Sequence, residues 1–146
     1  MKFRQMLASD VAQVLTVERN AYSHPWTEGN FRDSLAGDDE VWLLESDGAI
    51  VGHGIISVAV GEAHLLNICV ASHCQRQGLG RLILRYLLER SERLEAGIMF
   101  LEVRESNSTA LALYRSEGYQ QIGVRKNYYP LGKGREHAVV MSRPID

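Results

Sequence analysis

The chain has little cysteine, with two residues among 146, and no Cys-x-x-Cys pair. Two cysteines cannot build the disulfide framework of a small secreted protein, so a reducing cytosol suits them better. The five histidines are scattered along the sequence, and no metal site is predicted. Excess positive charge is also missing, since 16 basic and 18 acidic side chains leave a net charge of −2. This balance argues against a general nucleic-acid binder.

Long apolar runs are missing as well. No stretch approaches the roughly 20 residues that span a bilayer, and residues 1–6 lack the apolar centre of a signal peptide. We therefore expect a cytoplasmic protein with no membrane partner. Repeats, low-complexity tracts and linkers are also missing, while 45% of the residues are hydrophobic. A chain of this length most simply forms one domain, residues 1–146.

Local patterns predict an α/β (α+β) chain with a mixed sheet of about seven strands and about four helices. Ser9 is expected to cap the first helix, Thr27 the second, and Asn107 or Ser108 the last. Residues 125–135 are expected to form an excursion too long for a tight hairpin. The predicted strands cover residues 2–6, 41–45, 50–60, 64–70, 98–103, 119–124 and 136–141.

The loop Gln75-Arg76-Gln77-Gly78-Leu79-Gly80 separates a short apolar strand from an amphipathic helix. Glycine lets a ligand approach the backbone, and the first N–H groups of a helix have no internal partner. The helix dipole adds positive character at the same place. The pattern predicts a site for a phosphate or pyrophosphate, although two glycines can also serve a plain strand-to-helix turn. Arg81-Leu82 and Ile83 stand where a P-loop and a dinucleotide fingerprint need other residues.

Glu102 interrupts the apolar run of residues 98–103. A carboxylate in such a strand must lie at an opening or be paired, because burying an unpaired charge is very unfavourable. It could be a general base, or it could form a salt bridge with a neighbour such as Arg104. His53 and His64 alternate along predicted strands, which favours ordinary half-buried histidines.

The glycine loop matches the pattern Gln/Arg-x-x-Gly-x-Gly/Ala and resembles the pyrophosphate loop of the GCN5-related N-acetyltransferases, which bind acetyl-coenzyme A. The predicted order of elements resembles that fold over essentially the whole chain. Within it, the chain is similar to the RimI family, the bacterial ribosomal-protein alanine N-acetyltransferases. Residues 71–74 depart from the pattern, since many relatives carry Asp-Pro there. The strings that carry this likeness are Pro25-Trp26-Thr27, Asn67-Ile68-Cys69-Val70, the loop with Arg81, Leu101-Glu102-Val103-Arg104, Asn107 with Ala112-Leu113-Tyr114, and Arg125-Lys126-Asn127-Tyr128-Tyr129-Pro130.

The resemblance implies a role for each matching residue. Glu102 would be the general base and Tyr114 the general acid. Asn107 would contact acetyl-CoA, which is a co-substrate in this family. The acceptor would be a protein N-terminus, namely the N-terminal alanine of a small-subunit ribosomal protein. The remaining implied contacts are Ile68, Cys69 and Val70 to the pantetheine and thioester, Arg76, Gln77, Gly78, Leu79, Gly80 and Arg81 to the pyrophosphate, and Trp26, Tyr128 and Tyr129 to the acceptor.

Two other functions stay open on the sequence. The same scaffold could acetylate a lysine side chain or a small amine. It could also bind an acyl-CoA without turnover, although a retained Glu102 and Tyr114 argue against that. Cys69 and Cys74 have no sequence partner that would activate a thiol, so no nucleophilic role is predicted for them.

Overall fold

The computed structural model describes all 146 residues, and a single seven-stranded sheet organises them. The strands are β1 (Lys2–Gln5), β2 (Glu40–Ser46), β3 (Ala49–Ala59), β4 (Glu62–Val70), β5 (Ile98–Arg104), β6 (Gln120–Leu131) and β7 (Gly134–Pro144). The helices are α1 (Val11–Ala21), α2 (Glu28–Ala36), α3 (Leu79–Arg93) and α4 (Ser108–Ser116). The strand order is β1-β2-β3-β4-β5-β7-β6. Only the β4–β5 pair is parallel, so the predicted mixed sheet is confirmed.

Each face of the sheet carries its own hydrophobic core. One core holds Phe31, Val14 and Leu15 from α1 and α2 against alternate residues of β2 and β3. The larger core packs α3 and α4 against the other face. The neighbours Leu43 and Leu44 lie in different cores because successive side chains of a strand point to opposite faces.

Two glycines of β3 allow α3 to lie close against the sheet. A Cβ at Gly54 would stand 2.6 Å from Leu87 Cδ1, and one at Gly52 would stand 2.7 Å from Ile83 Cδ1. Any larger residue would therefore push α3 away from β3. Since the glycine loop leads directly into α3, this close packing fixes where the loop lies.

A β-bulge divides β4 into two parts. Ile55 pairs with Asn67 and Ile56 with Leu65, which leaves one residue of β4 unmatched. The parallel pairing of β4 with β5 covers only Glu62–His64 and ends before the bulge. A bulge bends and twists the strand that carries it. Beyond it the two strands no longer pair with each other, and we call the gap between their carboxyl-terminal halves the cleft.

Two local predictions were wrong. Ser9 does not cap α1, because a turn of 3₁₀ helix, Ala8–Asp10, comes first and the Asp10 carboxylate accepts the Leu7 N–H at 2.7 Å. Residues 125–135 are not an excursion: β6 runs on to Leu131 and pairs with Gly134 across a tight turn. No helix is both long and apolar enough to cross a membrane.

Candidate active site

The glycine loop forms an open helix start. Gly78 precedes α3 with φ of 80° and provides no side-chain cap, and Arg76 is also left-handed at 65°. By contrast, Thr27 caps α2 and Asn107 caps α4 by accepting the Ala110 N–H at 3.2 Å. The first N–H groups of α3 therefore face the loop with no side chain serving them, which suits an anion.

The side chains of this loop divide into two groups. Arg76 and Gln77 are exposed, whereas Leu79 is buried in the core. The Arg81 guanidinium donates to Glu117 at 2.6 Å and to Ser116 at 2.9 Å, so it fastens α3 to α4. A role for Arg81 in holding a pyrophosphate stays a prediction, and its guanidinium is engaged elsewhere in this structure.

One edge of β4 lines the cleft. Ile68, Cys69 and Val70 pair with β3 on one side, while β5 has left the other side. The Ile68 carbonyl accepts a hydrogen bond from the Tyr22 hydroxyl. The Val70 carbonyl accepts one from the Gln75 side chain at 3.3 Å. The pantetheine contacts implied for this edge stay a prediction.

Glu102 lies on β5, two residues past the last paired position, Phe100. One carboxylate oxygen bonds Nε2 of His64 and the other lies 3.5 Å from Nε of Arg125, with the carboxylate side chain 10% exposed. The alternative of a salt bridge to a neighbour is therefore supported, although the partner is not Arg104, whose guanidinium reaches Glu136 at 3.2 Å. His64 is half-buried on its strand, as expected, but its contact with Glu102 was not predicted.

Tyr114 lies on α4 and belongs to the larger core. Its ring is buried and meets Tyr119 edge-on at 5.6 Å. Burial raises the pKa of the Tyr114 phenol, and the charge of a nearby Tyr129 adds to the effect. The phenol therefore stays protonated at neutral pH. The phenol makes no hydrogen bond to another group of the chain.

The three residues predicted for the acceptor do not form one contact cluster. The rings of Tyr128 and Tyr129 meet edge-on at 5.0 Å, and the Arg104 guanidinium lies 4.5 Å from the Tyr129 ring centre. Burial, with the nearby charge of Glu102, raises the pKa of Tyr129 to about 12, so this tyrosine lies close to Glu102. Trp26 packs on Phe31 at 5.1 Å, on the side of α1 and α2.

Glu18 is a buried residue that the sequence reasoning missed. Its carboxylate accepts the Trp26 N–H at 2.9 Å and the Asn67 amide at 3.2 Å, and lies 2.9 Å from His53 Nε2. The expectation of a half-buried His53 was wrong, because its ring is fully buried. The sequence contained one indication of this group, because Glu18 is a charged residue on the apolar face of α1.

Cys69 completes this buried group. Its sulfur lies within 4.8 Å of ligand atoms of Glu18 and His53. Burial and the neighbouring Glu18 raise the pKa of the Cys69 thiol, which keeps it protonated and a poor nucleophile. Because three N–H donors surround the Glu18 oxygens, the group is held together by hydrogen bonds.

Comparisons with known proteins agree with this arrangement. The model of the acetyltransferase (GNAT) family matches residues 11–119. The [ribosomal protein bS18]-alanine N-acetyltransferase of Escherichia coli is 37% identical over 137 residues, covering 94% of this chain and 93% of the relative. Its counterpart from Haemophilus influenzae is 34% identical over 139 residues, covering 94% of each. The crystal structure of the Escherichia coli ribosomal-protein-S18-alanine N-acetyltransferase superposes with a TM-score of 0.93 at 35% identity, covering 99% of this chain and 94% of that one. The chain therefore belongs to the GNAT acetyltransferase family and is an acetyl-CoA-dependent N-acetyltransferase.

Proposed function

We propose that this enzyme acetylates the α-amine of a protein N-terminus, and that its preferred acceptor is the N-terminal alanine of a small-subunit ribosomal protein. The main structural support for acetyl transfer is the position of Glu102. Its carboxylate is mostly buried and lies where β4 and β5 no longer pair. The acceptor is supported by relatives that are named for acetylating this kind of N-terminus and that align over nearly their whole length. Such a substrate would place the enzyme in the cytoplasm. No contact with nucleic acid or membrane is part of the proposal.

The residues present fit acetyl-CoA at two separated places. The uncapped start of α3 and its left-handed loop suit the pyrophosphate, and the free edge of β4 suits the pantetheine. Asn107, whose side chain caps α4, is proposed to contact the coenzyme at the mouth of the cleft. The coenzyme supplies an acetyl group on a thioester, whose carbonyl carbon an amine can attack.

Glu102 prepares the acceptor for this attack. An α-amine has a reference pKa of about 7.7–8.0, so much of it arrives protonated at neutral pH. Only the neutral amine attacks, so a base must take the proton, directly or through a water. Glu102 is the carboxylate that borders the cleft between β4 and β5, and its proximity to Tyr129 puts it beside the proposed acceptor site.

Tyr114 acts on the leaving group. The departing thiolate has a pKa near that of cysteine, about 8.5, and a hydroxyl beside it stabilises the charge and supplies a proton. The raised pKa of Tyr114 keeps that proton in place until the thiolate develops. Positioning of the amine against the thioester accounts for much of the remaining catalysis. No covalent intermediate on the enzyme is required.

Selectivity for an N-terminus is proposed to come from Tyr128 and Tyr129. Their hydroxyls can hydrogen-bond the peptide backbone next to an α-amine, whereas a lysine amine arrives on a long stem without an adjacent peptide group. Each such bond contributes about 0.5–1.5 kcal/mol, so two or three give a preference of roughly tenfold to a thousandfold. Trp26, which packs on Phe31, is proposed to narrow the acceptor site from the side of α1 and α2.

The test compares two peptides in a mass-spectrometric assay. One has a free N-terminal alanine and an internal lysine, and the other is identical except that its N-terminus is blocked. The proposal predicts one acetyl group on the first peptide, on alanine, and very slow transfer to the second. Equal rates on the lysine of both peptides would overturn the proposal and favour the lysine acetyltransferase. A panel of first residues then measures the preference for alanine.

A further inference from the structure

A hydrogen bond between His64 on β4 and Glu102 on β5 crosses the start of the cleft. Because an ionised carboxylate can only accept, Nε2 of His64 carries the hydrogen and donates it. The other neighbour of the carboxylate is Arg125, whose Nε lies 3.5 Å from the second oxygen and whose side chain is 57% exposed. At that distance and exposure it is a weak, screened partner. His64 therefore provides the only hydrogen bond that the Glu102 carboxylate accepts from the chain.

The register of the sheet explains why these two side chains meet. His64 pairs with Phe100, the last position at which β4 and β5 pair, and Glu102 follows Phe100 by two residues. Because side chains alternate along a strand, Phe100 and Glu102 point to the same face of the sheet, and His64 shares it. The intervening residues of both strands belong to the larger core on the other face. The imidazole thus continues the connection between the strands beyond their last backbone pairing.

We propose that His64 is a positioning residue for the general base, and that its Nε2–H holds the Glu102 carboxylate in the orientation that receives the acceptor's proton. This inference rests on Glu102 acting as the base in the proposed function. The proton that the amine loses goes to Glu102, directly or through a water. His64 acts through Glu102 and keeps its own Nε2 proton throughout the reaction.

The carboxylate needs such a partner because it can turn about its own side chain. The terminal torsion of a glutamate has broad preferences, and with only 10% of this side chain exposed little water surrounds it. A general base must come within about 2.6–3.2 Å of its partner, and a misplacement of about 1 Å can cost roughly 100-fold in rate. An ionised carboxylate has about four lone-pair sites, so one bond from His64 leaves Glu102 able to take a proton.

The test compares three substitutions of His64 by their kcat for the alanine peptide. The amide nitrogen of glutamine can stand where Nε2 of the imidazole stands, so His64→Gln should keep most of the wild-type kcat. The amide nitrogen of asparagine stands where Nδ1 does and falls short of the carboxylate. His64→Asn should therefore lose about 10–100-fold in kcat, as should His64→Ala. KM for acetyl-CoA should not change in any of the three.

The matched control is Glu62→Ala. Glu62 is exposed and lies two residues before His64 on β4, where it also pairs with β5. This variant removes a side chain from the same strand and face without touching Glu102, so it should keep full activity. Thermal unfolding of each variant confirms that it is folded. Wild-type kcat in a folded His64→Asn protein would overturn the proposal, and so would a His64→Gln protein as slow as His64→Ala.

A double-variant cycle separates positioning from a general effect on the fold. Glutamine at position 102 cannot take the proton however it is oriented, so His64→Ala should lower kcat no further in a Glu102→Gln background. A full additional loss there would refute the positioning role.

Glu102→Gln by itself distinguishes the two proposals. If this variant keeps wild-type activity, the base assigned in the proposed function is wrong, and the role of His64 falls with it. If it is slow while His64→Ala is not, Glu102 stands as the base and only the role of His64 is refuted.

Discussion

The carboxylate of Glu18 in α1 lies 2.9 Å from the imidazole of His53 in β3, and both side chains are buried. The same carboxylate accepts hydrogen bonds from the Trp26 N–H and from the Asn67 side-chain amide. One side chain thus connects α1, the segment before α2, β3 and the bulged part of β4. These are the elements on which the cleft and the proposed acceptor side depend.

Replacing Glu18 by alanine should leave three buried donors without an acceptor. We expect the free energy of unfolding to drop by about 3 kcal/mol, and KM for the peptide to rise more than KM for acetyl-CoA because the Trp26 segment loses its anchor. Urea denaturation and steady-state kinetics measure the two effects. Glu28→Ala, which removes an exposed ion pair with Arg32, should change stability by no more than about 0.5 kcal/mol. Equal losses in both variants would contradict this account.

Substitutions of Gly80 test whether the glycine loop binds acetyl-CoA. A Cβ there would lie 3.6 Å from Leu113 and 3.8 Å from Val70, which is ordinary contact, so Gly80→Ala should bind acetyl-CoA nearly as wild type does. The branched side chain of Gly80→Val adds methyl groups where α3 is proposed to receive the pyrophosphate. We expect at least tenfold weaker binding, about 1.4 kcal/mol, by calorimetry. Unchanged affinity in a folded Gly80→Val protein would reject the loop as the phosphate site.

Substitutions of Glu102 and Tyr114 test their proposed roles as general base and general acid. Glu102→Gln should lower kcat by about 10²–10⁴, the usual range for a general base, and leave acetyl-CoA binding nearly intact. Tyr114→Phe should have an effect of the same kind, with some loss of coenzyme positioning. Glu105→Gln, an exposed carboxyl that follows β5, is the control and should keep full activity. Near wild-type single-turnover rates in both variants would refute their roles.

Substitutions of Tyr128 and Tyr129 test the proposed selectivity for an N-terminus over a lysine side chain. Each phenylalanine variant should lose one hydrogen bond to the peptide backbone and reduce the ratio of N-terminal to lysine acetylation by about threefold to tenfold, equivalent to 0.5–1.5 kcal/mol. Tyr86→Phe, on α3 and stacked on Phe3 at 3.9 Å, should leave the ratio unchanged. If neither variant of the pair alters the ratio, the enzyme class stands and this account of its specificity does not.

The pH dependence of stability in a Glu117 variant tests whether the ion pairs between α3 and the end of α4 stabilise the protein. Hydrogen bonds from Arg85 and then Arg81 lower the pKa of the Glu117 carboxyl below its ordinary value of 4.5. A lowered folded-state pKa stabilises the protein above the unfolded value and loses that contribution as the pH falls through the folded value. Glu117→Gln should therefore be less stable than wild type at pH 7, by about 1 kcal/mol, with the gap closing as the pH falls well below 4.5.

Urea denaturation at several pH values measures that gap. Glu89→Gln removes an exposed i,i+4 pair with Arg93 and serves as the control, because exposed pairs contribute little. A gap between wild type and Glu117→Gln that stays constant down to low pH would show that the ion pairs are not its source.

The signals that predicted the fold well were local ones. Thr27 and Asn107 cap the helices for which they were expected, because capping depends on a few adjacent residues. The β6–β7 hairpin was missed because its bulge depends on contacts from the other strand. The Asn127 N–H is held by His137 at 3.0 Å, and Arg135 donates to the Asn127 carbonyl at 2.7 Å. Polar composition alone made this stretch look like a loop.

Local patterns were enough to predict the glycine loop, the strand that carries Glu102 and the helix that carries Tyr114, because each is a short pattern whose chemistry follows from adjacent residues. Which side chains meet depends on the folded chain. Glu102 bonds a histidine 38 positions away, and Arg81 reaches Glu117 across 36 positions. The physical reason is that these contacts join separate elements of the fold. The first connects β4 with β5, whose pairing ends at His64 and Phe100, and the second connects α3 with the end of α4.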